Sequence, residues 1–600
     1  MNVGVIKWGP RPSEAECMTS LLDRRNVLTL AALVAASGVV GVAEAGGAEA
    51  ATTAKAKKKA KKKLTPKQLR ARRRRQARKR AAEKAKQKKP APAPAPKPAP
   101  TPTPAPKPSP APSPSPTPSP LPATDAFTLH LLRRATFGIT PDLLADVTKA
   151  GGVQGWLDQQ LNPGGLADVP AAVLARWPLH AADPPVVHAA GSFGHWKSME
   201  DLVRATVARQ LWSKRQLFEV MVDFWSNHLN ITCPSSEVWS TKAWDDKNVI
   251  RKHALGRFED MLIASMTSPA MLLYLDNATS RGTAPNENYA RELLELHTVG
   301  VDAGYGRADI LGVARTLSGL TVWDPWTGGT ATNVGTFRYN ANWHYVGKVT
   351  VLGWSHANAT KNDGPAAAAS LATYLARHPA TAERIATKLA VRFVSDTPPA
   401  ALVERLARVY LDHDTAIVPV LRALFASAEF AASTGKKVRR PLEDLIAAWR
   451  AVGVQPKPTD TNPDGAIAGL RWMLMLLGHA PLGWAPPNGY PDVASAWGGA
   501  GRTLNRWNAH IATTQQWWPE GVTWPDLADH LLDGKTPATR GALIDVLIAR
   551  LLPGISVSTA HRNAMLAFLG ADGRIRDGDT TWLFPVLVAV VLDSPHWSIR

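Results

Sequence analysis

The sequence predicts a mainly α-helical protein, in which a multi-helix globular domain follows a disordered N-terminal region. Two observations support this fold class. In residues 124–600, apolar residues recur at helical spacing, and alternating β-type runs are few, with 348–354 the clearest strand candidate. In residues 1–123, a Lys/Arg-rich stretch and a Pro-rich stretch leave too little apolar surface to form a core.

Residues 1–45 have the pattern of a twin-arginine (Tat-like) export signal. Arg24 and Arg25 precede the apolar run 27–42, and Ala43 and Ala45 supply the small residues of a cleavage site. The apolar run is shorter than the roughly 20 residues that a membrane-spanning helix needs, although an uncleaved anchor is the alternative. The sequence therefore predicts an exported protein that is extracellular or associated with the cell envelope.

Two low-complexity segments follow the signal. Residues 46–89 form a basic disordered segment, in which 55–89 contain 20 Lys and Arg and one acidic residue, Glu83. Residues 90–123 contain 17 prolines and are typical of an extended polyproline linker. We expect the basic segment to bind an anionic cell-wall polymer or a membrane surface. A solvated tether without a specific ligand is the alternative.

The positive charge of the chain belongs almost entirely to this N-terminal region. The chain has a net charge of +21, and residues 1–123 hold 26 basic and 6 acidic side chains, a net of +20. The helical domain is therefore close to neutral, so we expect no nucleic-acid partner. This domain comprises residues 124–600, as one body or as two lobes with a boundary near 455–465, where Pro, Asp and Gly are frequent.

Two histidines point toward the core from separate predicted helices. In 214–229, His228 lies inside the apolar arc, and in 286–299, His297 does the same, with Glu292 at the rim of that arc. His228, His297 and Glu292 are the candidate catalytic residues. His228 and His297 are also candidate metal ligands, and a divalent metal is the candidate cofactor.

The same histidines have a structural interpretation. A buried imidazole is often bonded to a backbone carbonyl or a carboxylate. On an α-helical wheel, His297 and Glu292 lie about 140° apart, so both could bind one ion only with ligands from another element.

Several kinds of site are excluded by the sequence. Cys17 and Cys233 are the only cysteines, which excludes a disulfide framework and a cysteine-based zinc or iron–sulfur site. The chain has no G-x-S-x-G, Walker A, H-E-x-x-H or G-x-G-x-x-G motif. The 22 tryptophans leave glycan binding as an alternative.

Six segments carry a resemblance to a known family. They are residues 130–138, 224–228, 286–300, 378–381, 440–443 and 486–492. Together they resemble the bacterial family called domain of unknown function 1800 over about residues 125–600, and the Asn-Glu-x-x-Ala-Arg-Glu-Leu motif that begins at Asn286 is the most specific part. The resemblance implies an exported, mainly helical protein, and it supplies no catalytic residues because the family has no assigned biochemistry. The family usually has His-Asp where this chain has His344-Tyr345, which argues against a site at His344.

The arginines of these motifs have an architectural interpretation. We expect Arg133, Arg134, Arg439 and Arg440 to form buried ion pairs, with Glu292 or Glu443 as acceptors. For the whole protein, the first hypothesis is an exported cell-envelope enzyme with a His/Glu, metal-assisted site. A non-enzymatic envelope scaffold or binding protein on a cationic, Pro-rich stalk is the alternative, and a glycan-binding protein is the third.

Overall fold

The computed structural model describes residues 125–191, 195–325, 328–457, 465–535 and 537–600. The predicted signal (1–45), basic segment (46–89) and Pro-rich linker (90–123) lie outside the described residues. So does 458–464, which is most of the predicted lobe boundary.

The prediction of a mainly α-helical fold is confirmed. The described helices of the first part of the domain are α1 (Asp125–Ala135), α2 (Pro141–Lys149), α3 (Val153–Leu161), α4 (Ala171–Leu174), α5 (Pro184–Ala190), α6 (Lys197–Trp212), α7 (Gln216–His228), α8 (Lys242–Asp245) and α9 (Phe258–Met266). Those of the middle part are α10 (Pro269–Tyr274), α11 (Glu287–Glu292), α12 (Arg307–Leu317), α13 (Gly364–Ala376), α14 (Pro379–Phe393), α15 (Ala400–Asp412), α16 (Ile417–Phe425), α17 (Ala428–Ala431) and α18 (Pro441–Ala451). Those of the last part are α19 (Gly465–Leu476), α20 (Ala500–Thr514), α21 (Leu527–Leu532), α22 (Arg540–Leu551), α23 (Thr559–Phe568), α24 (Asp577–Thr580) and α25 (Phe584–Leu592).

Two of these helices continue into π-helical turns, in which hydrogen bonds join residues five apart instead of four. The π segments are Asp246–Arg251 after α8 and Leu293–His297 after α11. Such insertions are rare, and they are frequent at functional sites. The second π segment, Leu293–His297, contains His297, so the position of this segment in the fold determines where the imidazole lies.

The described strands form three two-stranded antiparallel sheets. They pair β1 (Leu320–Val322) with β2 (Phe337–Tyr339), β3 (Val349–Val351) with β4 (Trp354–His356), and β5 (Gln455–Pro456) with β6 (Val522–Thr523). The strand candidate 348–354 is a hairpin rather than one strand. Leu352 and Gly353 form its two-residue turn with φ values of 49° and 89°, the left-handed conformations that a tight hairpin turn requires.

The core lies between long helices that bury their apolar faces against one another. Helix α14 packs along α15, α9 packs on α13, and α20 packs against α25. The largest fully buried side chains include Trp156, Trp177, Trp225 and Trp449. None of the described helices is long and apolar enough to span a bilayer.

Local signals define the starts of the two helices that matter most for the site. Pro379 occupies the first turn of α14, and the preceding His378 accepts a hydrogen bond from the backbone N–H of Ala380 at 3.2 Å. At the start of α18, the Glu443 side chain accepts from the backbone N–H of Arg440 at 3.0 Å, which satisfies one of the free donors of the helix end.

Candidate functional site

A pocket of about 360 Å³ lies where α7, α14 and the loop after α19 meet. Its walls combine charged, polar and aromatic side chains, and several of them come from the segments that carry the family resemblance. The lining residues are Asp223, Phe224, Asn227, His228, Lys388, Val391, Arg392, Arg440, Trp484 and 488–492. A concave site with a few convergent polar groups is the usual form of a small-molecule site.

His228 ends α7 and is held between two other elements. Its Nε2 lies 3.1 Å from the backbone carbonyl oxygen of His297, and its Nδ1 lies 2.9 Å from the Nζ of Lys388. Because a carbonyl oxygen only accepts, Nε2 carries the proton and Nδ1 accepts from the lysine. Burial, with the charge of Lys388 added, holds the pKa of His228 well below its usual value. His228 is therefore a neutral imidazole with both nitrogens engaged.

Lys388 has an unusual environment for a lysine. It is half-buried on α14, and no carboxylate forms an ion pair with it in the described part of the chain. Burial and the nearby charge of Arg384 lower the pKa of Lys388 to about 7. A substantial fraction of this side chain is therefore a neutral amine near pH 7, at the wall of a pocket.

His297 lies behind His228 and does not line the pocket. The π-helical turn Leu293–His297 carries it, and the Thr298 hydroxyl donates to the carbonyl of Leu293 at 2.7 Å, across five residues. The His297 ring is fully buried, and neither nitrogen has a hydrogen-bond partner among the described residues. Burial, Lys388 and Arg384 lower the pKa of His297 to about 3, so the ring is neutral.

The structure brings His228 and His297 together, but Glu292 does not join them. No hydrogen bond or ion pair connects Glu292 to either histidine in the described residues, and it does not line the pocket. Burial and the charge of Glu295 raise its pKa. The 140° separation calculated for His297 and Glu292 does not apply, because a π-helical turn advances by less than 100° per residue.

The geometry gives the two histidines no third metal ligand. Within the described ranges, no group of three or more His, Cys, Asp or Glu side chains is arranged to hold a metal ion. His228 also has no free ring nitrogen, since one donates to a carbonyl and the other accepts from Lys388. A metal at His228 and His297 therefore stays a sequence-based prediction, and the structure adds nothing in its favour.

A buried cluster of ion pairs borders the pocket. Glu443 accepts from Arg392, from Arg440 at 3.0 Å and from Arg600 at 2.6 Å. Asp492 pairs with Arg392 at 3.5 Å and with Arg600 at 3.4 Å. Burial alone would raise the pKa of Glu443, but the three guanidinium groups outweigh it and hold that pKa well below its usual range. The carboxylates thus stay ionised and fix the arginines at the pocket wall.

The prediction of buried ion pairs for four arginines is correct only for Arg440. Besides Glu443, Arg440 pairs with Asp223 at 2.5 Å. The other three donate to backbone carbonyls: Arg133 to Pro553, Arg134 to Ser433 and Arg439 to Trp597. Residue types cannot predict which backbone carbonyl accepts from an arginine, because every residue has a backbone carbonyl.

The loop of residues 486–492 is held against α7 by Asn227. The Asn227 Nδ2 donates to the carbonyl of Tyr490 at 2.7 Å, and its Oδ1 accepts from the backbone N–H of Tyr490 at 2.5 Å. Gly489 adopts a φ of 73°, and a Cβ there would lie 2.1 Å from the carbonyl oxygen of Asn227. Only glycine fits this close approach of loop and helix, which shapes one wall of the pocket.

His344 lies outside this pocket, in keeping with the departure from the family pattern there. Its ring nitrogens bond to the carbonyl of Ser318 and the side chain of Asn358, both at 2.8 Å. These bonds connect the residues after β4 to the end of α12, and they leave no ring nitrogen of His344 free.

The sequence analysis missed Lys388, Arg392, Asn227 and Asp492. A signal existed for the first two, because a wheel of α14 places Lys388 and Arg392 within about 40° of each other and beside the apolar Ile385. A charged residue within an apolar arc is a candidate for a buried polar role. Asn227 and Asp492 lie in two of the segments that carry the family resemblance, but their residue types give no comparable signal of a role, since loops and helix ends commonly contain them.

The fold and the site together define a mainly helical protein with a pocket lined by aromatic and charged side chains and a lysine without an ion pair among the described residues in its wall. The family model described as "Protein of unknown function (DUF1800)" matches residues 130–599. The chain therefore belongs to this family, and the resemblance predicted from the motifs is confirmed. No curated protein and no solved structure matches the chain significantly.

Proposed function

We propose that this protein is an exported cell-envelope enzyme in which the amine of Lys388 transfers protons. The observation that carries the proposal is the 2.9 Å hydrogen bond between Lys388 Nζ and His228 Nδ1 at the wall of the pocket. Here burial and Arg384 lower the pKa of Lys388 to about 7. A proton-transfer group is most effective when its pKa is close to the working pH.

The geometry suits a general base. A neutral lysine amine has two N–H groups and one lone pair, and one N–H is committed to His228 Nδ1. This bond fixes Nζ and leaves its lone pair for a proton on a ligand in the pocket. His228 acts as a positioning residue, because its own Nε2–H is anchored on the His297 carbonyl and its neutral ring can only accept from Lys388.

The pocket restricts the ligand by size and chemistry. A volume of about 360 Å³ suits a small molecule or a single unit of a polymer. Phe224, Trp484 and Tyr490 supply aromatic surface for a ring. The guanidinium groups of Arg392 and Arg440 lie at the pocket wall, where ion pairs with Glu443 hold them in place. Glu292 and a metal ion have no part in this proposal.

The proposal is tested by the reactivity of Lys388 in the full chain. Only a neutral amine reacts with an acylating reagent, so the acylation rate of Lys388, followed by mass spectrometry of its peptide, should reach half its maximum near pH 7. Lys214, which is exposed and pairs with Asp146 at 2.7 Å, is followed in the same samples as the exposed reference lysine. A midpoint near ~10 for Lys388 would mean that it is an ordinary charged lysine and would overturn the proposal.

Activity provides the second test. Purified full chain and its Lys388→Met variant are compared across hydrolase and transferase substrates that contain a ring. We expect a turnover that falls by roughly 10²- to 10⁴-fold in Lys388→Met and is not restored in Lys388→Arg, because a guanidinium cannot act as a base near neutral pH. A turnover that is unchanged in Lys388→Met would place the reaction elsewhere.

The proposed location rests on the N-terminal sequence. The Tat-like pattern in residues 1–45 supports export, and the 20 basic residues within 55–89 support binding to an anionic wall polymer or membrane surface. Deletion of residues 46–123 should release the protein from the cell envelope into the medium. Unchanged fractionation of that variant would contradict the role of the basic segment.

A further inference from the structure

Helix α19 presents an apolar face to solvent. Ala468, Trp472, Met475 and Leu476 follow the spacing i, i+4, i+7, i+8, which places them on one side of the helix. The last three are 55%, 54% and 48% exposed. The opposite side of α19 is buried in the core, so both sides of the helix are apolar, and Arg471 is its one charged residue. A helix with this composition is normally covered on both sides.

Neighbouring residues extend this apolar surface. Helix α20 runs antiparallel to α19, since Asn505 donates to the Leu476 carbonyl at 3.2 Å and the N–H of Ala466 donates to the carbonyl of Glu520 at 2.9 Å. Leu504, next to Asn505, is 55% exposed, and Trp517, just after α20, is 46% exposed. We name this surface the α19–α20 face; it consists of Ala468, Trp472, Met475, Leu476, Leu504 and Trp517.

The charges around the α19–α20 face are all positive within the two helices. Neither helix contains an acidic residue, and Arg471 lies on α19 and Arg502 on α20. Arg506 is not part of this surface, because its guanidinium donates to the Ser598 hydroxyl at 2.5 Å and to the Asp593 carbonyl at 3.2 Å. Arg471 has no ion pair with any described residue, and Arg502 is exposed, with its guanidinium bonded to the Ala496 carbonyl at 2.8 Å. Trp, Leu and Met beside arginines are the pattern of a helix that lies in a membrane interface.

We propose that the α19–α20 face docks on the surface of an anionic lipid bilayer. Its apolar side chains would enter the boundary between headgroups and acyl chains, and Arg471 and Arg502 would meet the lipid phosphates. With 12 residues, α19 is only about 18 Å long and lies in the interface instead of crossing it. The positive charge beside the face favours an anionic bilayer as its partner. The strongly basic residues 1–123 of the same chain are attracted to the same kind of surface. The proposal is independent of the chemistry of Lys388.

A probe on the face tests the proposal in the full chain. Met475→Cys carries an environment-sensitive fluorophore, Cys17→Ser removes the other reactive thiol, and the fully buried Cys233 does not label. Vesicles of phosphatidylcholine with phosphatidylglycerol are added at about 0.15 M salt, where the arginines of the face still attract anionic lipid. A matched probe at residue 301 separates insertion of the face from attraction through the basic segment. We expect the emission at residue 475 to rise severalfold and to shift to shorter wavelength.

A matched probe and a matched substitution complete the experiment. The probe at Val301→Cys, where the side chain is 63% exposed and outside the face, should keep its emission. Trp472→Ser with Leu476→Ser should reduce the response at 475 at least severalfold, whereas Trp582→Ser, at a 73% exposed tryptophan elsewhere, should not.

A probe at 475 that stays in water, or that responds as the probe at 301 does, overturns the proposal. A response at 475 that depends on protein concentration without vesicles overturns it in favour of a second copy of the chain.

Discussion

We expect Lys388 to oppose folding near neutral pH. Its pKa in the folded protein, about 7, is below that of an unfolded lysine, ~10.4, so folding disfavours the charged amine. The resulting loss of folding free energy is absent above pH ~10.4, grows as the pH falls toward 7, and is constant below about pH 7. Lys388→Met should therefore raise the free energy of unfolding at pH 7 by on the order of 2 kcal/mol, and the gain should vanish near pH 10.

Urea unfolding at the two pH values measures this effect. Lys214→Met, which removes an exposed lysine of a surface ion pair, serves as the control and should change the free energy of unfolding by less than about 1 kcal/mol. Destabilisation by Lys388→Met at pH 7 would show that the lysine is structural. A group kept at a cost to stability is characteristic of functional sites.

His510 has the opposite kind of environment. Its Nε2 lies 3.0 Å from Asp444 Oδ2 and its Nδ1 lies 2.7 Å from Asp593 Oδ1. His510 and Asp444 are buried between α18, α20 and the end of α25, and the Asp593 side chain is 9% exposed. Burial alone would lower its pKa, but the two carboxylates raise the pKa of His510 to about 9. His510 is therefore an imidazolium that joins three parts of the domain.

This cluster predicts a pH-dependent contribution to stability. Because the folded pKa of His510 is above the unfolded value of ~6.5, its contribution is complete below pH 6.5 and is lost as the pH rises through about 9. His510→Gln should lower the free energy of unfolding by about 3 kcal/mol at pH 6 and by much less at pH 10. His413→Gln is the control, since His413 is exposed and its ring bonds, among the residues that the structure describes, only to the Val409 carbonyl. Equal losses at both pH values would contradict the charged state of His510.

At the scale of elements, the helices were predictable and the position of His297 was not. Apolar spacing indicates where 214–229 and 286–299 form helices, because each has to bury one face. Helix α7 ends at His228, within a residue of that prediction, but 286–299 becomes α11 followed by a π-helical turn. Nothing in the apolar pattern marks the change from four- to five-residue hydrogen bonds, since both bury Leu293 and Leu294.

The loop that closes the pocket depends on one glycine. Gly489→Ala forces a Cβ against the Asn227 carbonyl at a distance of 2.1 Å, in addition to the strain of a φ of 73°. We expect a loss of roughly 2–4 kcal/mol in the free energy of unfolding and a displaced 486–492 loop. Gly435→Ala separates the two causes, because Gly435 has a φ of 79° and no atom within 4 Å of its Cβ position; it should cost only about 1 kcal/mol. Equal costs for the two variants would show that the contact with Asn227 is unimportant.

At the scale of the whole molecule, ion pairs connect distant parts of the chain around Glu443. Arg392 comes from α14, Arg440 precedes α18, and Arg600 follows α25, and all three converge on this carboxylate. Each guanidinium would be costly in a protein interior without its acceptor. The cluster thus fixes how α14, α18 and the end of the described chain pack beside the pocket.

Acid should weaken the domain through this cluster. The folded pKa values of Glu443 and Asp492 are depressed below their unfolded values of ~4.3 and ~3.9, so their contribution is present above pH ~4 and is lost as the pH falls below it. Glu443→Gln should lower the free energy of unfolding by about 3–5 kcal/mol at pH 7 and flatten its decline below pH 4. Glu404→Gln, in an exposed pair with Arg408, is the control and should change neither value appreciably. A decline as steep in Glu443→Gln as in the wild type would contradict this account.

By itself, the sequence determined the helical class of the domain, its family and the inward direction of His228 and His297. These three properties follow from local periodicity and from the residue types of short segments, both of which are present in the sequence whatever the tertiary packing. Only the tertiary structure decided that His228 meets Lys388 across 160 residues, that Glu292 stays apart, and that Trp472, Met475 and Leu476 remain uncovered. The physical reason is that packing between distant helices sets which side chains share an environment. The pKa values, ion pairs and exposed faces that carry function are properties of that environment and not of any one helix.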